Sequence, residues 1–80
     1  MKHRKIILKL AYMVTPLFKP AEWYAAELET MGYETSAAEL AAPLEYLAGK
    51  GLLEKHHGID NRPIYAISAA GVDAWERGEL

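Results

Sequence analysis

The apolar positions of this chain change their period along its length. Ile7, Leu10, Ala11 and Val14 follow the i, i+3, i+4, i+7 spacing of a buried stripe, which predicts a helix from about Lys2 to Val14. Ile6, Leu8, Tyr12 and Met13 lie off that stripe, so this helix is apolar nearly all round. Either a second chain or the last helix, with the loop at Leu17 and Phe18, must cover the surplus. Thr15-Pro16 closes the helix, because a residue before proline is pushed out of the helical region. A second helix is predicted from Pro20, with Glu22 suiting its positive start, an apolar face of Trp23, Tyr24, Leu28 and Met31, and Gly32 as its stop. A third begins at Ser36, which forms an S-x-x-E capping box with Glu39. Its core stripe is Leu40, Leu44 and Leu47. Pro43 removes the amide that would bond to the Glu39 carbonyl, so a kink or restart is expected near Ala42.

After Gly49 and Gly51 the pattern becomes that of strands. Leu52–His57 and Pro63–Ile67 flank a polar tip in which Gly58, Asp60 and Asn61 supply turn chemistry. Pro63 cannot donate to a ladder, which suits the start of an edge strand. Tyr65 and Ile67 are expected to face Leu44 and Leu47. Ser68 caps a last helix, Ala69 to about Arg77, with Val72 and Trp75 turned inward. Eighty residues bury only roughly 60–65% of the unfolded chain's surface, enough for one modest core, so residues 1–80 are read as a single domain. Three helices, a hairpin and a final helix make a mainly α fold with a small β-hairpin, the order of a winged helix-turn-helix. The second and third helices are joined by about four residues, the spacing of that motif.

The hairpin and its flanks are similar to the DNA-binding domains of PadR-type and MarR-type transcriptional regulators. Those families end their recognition helix in L-x-x-L-x-x-x-G-L-[LIV] and close the wing on R-x-x-Y-x-[IL]-[ST]-x-x-G. Leu44, Leu47, Gly51, Leu52 and Leu53 match the first pattern, and Arg62, Tyr65, Ile67, Ser68 and Gly71 match the second. A proline within the third helix also resembles the PadR type, although Pro43 stands one position later than expected there. The resemblance spans essentially the whole chain and implies a small regulator that binds double-stranded DNA, working as a homodimer.

Charge changes that picture. Residues 1–19 carry Lys2, Arg4, Lys5, Lys9 and Lys19 and no acid, whereas residues 20–49 carry six Glu and no Lys or Arg. In a DNA-binding winged helix the third helix enters the major groove and the wing touches the backbone or minor groove. The outward face of that helix here is Ser36, Ala38, Glu39, Ala42, Glu45 and Tyr46. Glutamate can accept from cytosine and alanine can meet a thymine methyl, but two carboxylates repel a phosphate-lined groove. The same face also fits a protein partner, being small and apolar with an acidic rim and one aromatic anchor, Tyr46. The expected DNA contacts are therefore Lys50, Lys55, His56, His57, Asn61 and Arg62 in the wing, with Lys2, Arg4 and Lys5 as an N-terminal arm. Ile6, Leu8, Tyr12, Met13 and Trp75 are the expected dimer face.

Other chemistry finds little support. There is no cysteine, which excludes disulfides and thiolate metal sites and fits a reducing cytoplasm. Lys9 interrupts the apolar start and no small-residue cleavage site follows, so no signal peptide is expected. His56 and His57 are adjacent strand residues that point to opposite faces, so no metal site is expected of them, and His3 is expected on the surface. Neither a glycine-rich phosphate loop nor a nucleophile with its base is recognisable. The chain is read as a non-enzyme without a cofactor.

Overall fold

The computed structural model describes residues 3–78. Among these, the protein is mainly helical, with four helices and a small three-stranded antiparallel sheet: α1 (Arg4–Met13), β1 (Lys19–Pro20), α2 (Ala21–Thr30), α3 (Ala37–Gly49), β2 (Leu53–His57), β3 (Pro63–Ile67) and α4 (Ala69–Arg77). No helix among the described residues is long and apolar enough to cross a membrane.

Local chemistry accounts for most boundaries. At α2, Pro20 is the extended cap rather than the first helical residue, and Gly32 closes the exit with φ 95°. The Tyr33 amide then donates back to the Leu28 carbonyl at 2.9 Å, satisfying an acceptor the helix end would leave free. At α3 the capping box is complete: the Glu39 amide donates to Ser36 Oγ at 3.2 Å and the Ser36 amide donates to Glu39 Oε1 at 2.8 Å. The expected restart near Ala42 does not occur. α3 runs unbroken through Pro43, whose ring is buried among the neighbouring elements, and that tertiary packing outweighs the lost backbone bond. Gly51, at φ 79°, turns the chain out of α3 into the hairpin.

The sheet departs from expectation in one respect. Strand order is β1-β3-β2, so β3 is the central strand and Pro63 does not start an edge strand. Proline is tolerated there because β1 reaches only to the Pro20↔Ile64 pair, leaving Pro63 opposed by His57 alone. β1 itself was not expected: two residues, Lys19 and Pro20, are too few to show a period.

One core joins all layers. Ile7, Leu8, Leu10 and Ala11 of α1 meet Tyr24 and Leu28 of α2, the three leucines Leu40, Leu44 and Leu47 of α3, and Leu53, Tyr65 and Ile67 of the hairpin. The Tyr24 hydroxyl is buried and donates to the Tyr65 carbonyl at 3.0 Å, which ties α2 to the central strand. Burial pushes the Tyr24 hydroxyl's pKa well above its ordinary value, so it stays a donor at all moderate pH.

Candidate nucleic-acid interface

α3 presents Ala38, Ala41, Ala42, Glu45 and Tyr46 to solvent, opposite its leucine stripe. Its two carboxylates are both engaged. Glu39 is held in the capping box. Glu45 Oε2 lies 2.8 Å from Lys55 Nζ of β2 and accepts from the Tyr65 hydroxyl at 2.6 Å. Lys55 and then Tyr65 hold the Glu45 carboxylate below the ordinary range, while burial, helped by that carboxylate, pushes the Tyr65 hydroxyl up. Of the two charges expected to repel a groove, Glu45 is thus neutralised by the hairpin and Glu39 lies at the first turn.

The hairpin cations are less available than the sequence implied. Arg62 donates from Nε to Asp60 Oδ2 at 2.5 Å and from Nη1 to Glu22 Oε2 of α2 at 3.0 Å. Asp60 first, and Glu22 with it, raise the Arg62 guanidinium's pKa, and Arg62 holds the Asp60 carboxyl down. Lys55 is paired to Glu45. His56 packs against Phe18 with the rings tilted at 44° and their centres 4.6 Å apart, and its Nε2 lies 3.8 Å from Glu54 Oε1. His57 is exposed. Asn61 takes the left-handed conformation, φ 66°, that the turn demands, so its role is in the first place structural. Beside it Ile59, which no sequence pattern singled out, stands fully exposed at the tip.

These carboxylate pairs set a pH dependence. Both carboxyls have depressed folded pKa values, so the stability they contribute is present above their unfolded pKa and is lost as pH falls through the folded one. Both pairs are largely exposed and each is worth little on its own. In an NMR titration the carboxyl carbons of Glu45 and Asp60 are expected to titrate below ordinary glutamate and aspartate, with the hairpin amides shifting in step. Ordinary midpoints for both would show that the ion pairs do not persist in solution.

Among the described residues, cations without a carboxylate partner lie elsewhere. Arg4 sits over the Tyr46 ring, 3.4 Å from its centre, and Lys50, the cap of α3, has its Nζ 5.7 Å from the same centre. Lys5 is exposed on the next position of α1. Lys2, the third member of the expected arm, lies outside the described residues.

The expected dimer face is dismantled in part. Leu8 is 0% exposed and belongs to the core, so no partner can reach it. Tyr12 packs on Trp75 of α4, with ring centres 6.2 Å apart, and its hydroxyl donates to Glu76 Oε2 at 2.9 Å. Ile6 is half-buried, and Met13 alone of the five is open, at 66%. Of the surplus apolar side of α1, Leu8 thus belongs to the shared core and Tyr12 is covered by the protein's own last helix. Among the described residues there is no cavity and no group of three His, Asp or Glu side chains placed to hold a metal ion.

In comparison with known proteins, no family model, no curated protein and no solved structure matches the chain.

Proposed function

We propose that the chain is a winged helix-turn-helix domain of the PadR or MarR kind that binds double-stranded DNA and acts as a small transcriptional regulator. The order of elements, the short α2–α3 joint and the hairpin directly after α3 support that arrangement. One observation carries the DNA reading: beyond its first turn, the outer face of α3 bears a single carboxylate, Glu45, and Lys55 neutralises it. What remains is a smooth alanine stripe, Ala38, Ala41 and Ala42, ending in Tyr46 with Arg4 and Lys50 around it. Such a stripe fits a major groove, where methyl groups meet thymine methyls and the cations approach the phosphates at one end. The hairpin then lies along the adjacent backbone.

A protein partner on the same face is the second reading. Arg62 and Lys55 are already paired to acids, and Tyr46 and Ile59 are open apolar anchors. Amide chemical-shift mapping with an unlabelled duplex separates the two. DNA binding predicts that shifts concentrate at residues 38–50 and in the hairpin. An unperturbed spectrum at excess duplex leaves the protein-partner reading.

A further inference from the structure

We propose that Arg4, Tyr46 and Lys50 form an anion cradle at the junction of α1 and α3, and that it takes a backbone phosphodiester of the bound duplex; this rests on the DNA reading above.

Three observations converge on it. The Arg4 guanidinium carbon lies over the Tyr46 ring, 3.4 Å from its centre, and Lys50, one helical turn further along α3, has its Nζ 5.7 Å from the same centre. An aromatic face attracts a cation modestly, but it does not neutralise two of them. No carboxylate among the described residues lies within ion-pair distance of either Arg4 or Lys50, whereas Lys55 and Arg62 each have such a partner. Arg4 Nε is also buried with no hydrogen-bond partner. A donor left that way is uncommon in a settled protein and calls for a partner, of which an ordered water or ion is one kind.

The chemistry selects an anion with several oxygens. A guanidinium presents a planar fork of N–H donors that matches the oxygens of a phosphate, and a lysine adds a compact charge beside it. Tyr46 acts as a positioning residue: its ring lies against the Arg4 guanidinium. The placement favours a phosphodiester over a free anion. Ala38, Ala42, Tyr46 and Lys50 follow one another at helical spacing along the outside of α3, so a duplex that takes the alanines into its groove brings a strand across the cradle.

The test is a fluorescence anisotropy titration of a labelled duplex against wild type, Arg4→Gln, Lys50→Gln and Lys19→Gln. Lys19, an unpaired cation over Trp23, is the control for net charge alone. Each cradle variant is expected to bind about tenfold more weakly at low salt and to flatten the slope of log K against log salt by about 0.9, the value of one phosphate contact. Lys19→Gln should change affinity less than about twofold. Circular dichroism melts check that the variants are folded. A second arm adds inorganic phosphate at constant ionic strength, which should leave the duplex bound. Wild-type binding with unchanged slopes in both cradle variants overturns this proposal and leaves the DNA reading standing. Displacement by phosphate at constant ionic strength overturns it in favour of a free-anion site. Absence of duplex binding by the wild type overturns both.

Discussion

Gly71→Ala is expected to destabilise the protein by about 3 kcal/mol or more, the largest effect of any single methyl group in the chain. Gly71 lies in the first turn of α4, packed on the chain that leaves α3. A methyl there would fall inside the van der Waals envelope of the Leu52 carbonyl oxygen, 3.0 Å from the Leu52 carbonyl carbon and 2.7 Å from Ile67 Cγ1. None of these atoms can give way easily. The Leu52 carbonyl accepts from the Ser68 amide at 3.1 Å, and the Ser68 hydroxyl donates to the Gly51 carbonyl at 2.6 Å while accepting from the Gly71 amide at 3.0 Å. The helix would have to lift, undocking Val72 and Trp75 from the core edge. A domain of this size holds only about 4–12 kcal/mol in total. The melting temperature should therefore fall by roughly 12–24 °C. A loss below about 1 kcal/mol would mean that α4 is not seated as described.

Leu8→Glu is expected to abolish folding outright. The sequence pattern places Leu8 on the expected dimer face, where a charge would be tolerated. Leu8 is instead 0% exposed, packed in the same core as Leu28, Leu44 and Ile67. Removing its side chain alone costs about 2–5 kcal/mol, and the new carboxylate must also be stripped of water or stay protonated. Together these match or exceed the stability such a domain has to lose. Met13→Glu is the companion control: Met13 is 66% exposed and its substitution should change stability by less than about 0.5 kcal/mol. Far-ultraviolet circular dichroism and a urea titration distinguish the two. A cooperative unfolding transition for Leu8→Glu near the wild-type midpoint would contradict the assigned core.

The contrast at α1 shows where a periodic reading stops. A helix covered on one side displays one apolar stripe, and α3 follows that rule through Leu40, Leu44 and Leu47, as does α2 through Tyr24 and Leu28, although Met31, read as part of the same face, caps α2 and is 45% exposed. α1 touches α2, α3, α4 and β3, so it buries Ile7 and Leu8 side by side and no single stripe describes it. Turn and cap signals carried well, because the Ser36–Glu39 box, Gly32 and Gly51 act within a few residues of themselves. β1 was invisible for the opposite reason: Lys19 and Pro20 become a strand only because Ile64 and Tyr65 lie beside them.

The candidate site was legible by residue type but not by partner. Segment charges assign Glu22 and Arg62 to separate stretches, yet the two meet across 40 positions of sequence at 3.0 Å. The same holds for Glu45 and Lys55. Tertiary pairing thus neutralises Glu45, one of the two charges that argued against DNA at α3, and leaves Glu39; it also occupies the hairpin cations Lys55 and Arg62 that argued for it. Two of the cations left over among the described residues, Arg4 and Lys50, come from the ends of different helices and both lie beside the Tyr46 ring.

The most direct test of the DNA reading is the affinity of the intact protein for a random-sequence duplex at two salt concentrations. One or two phosphate contacts, the first at the Arg4–Lys50 cradle and the second at Lys5, predict measurable binding at about 50 mM salt that weakens by roughly 3–12-fold at about 200 mM. No binding at about 50 mM salt, or binding that does not respond to salt, would contradict it.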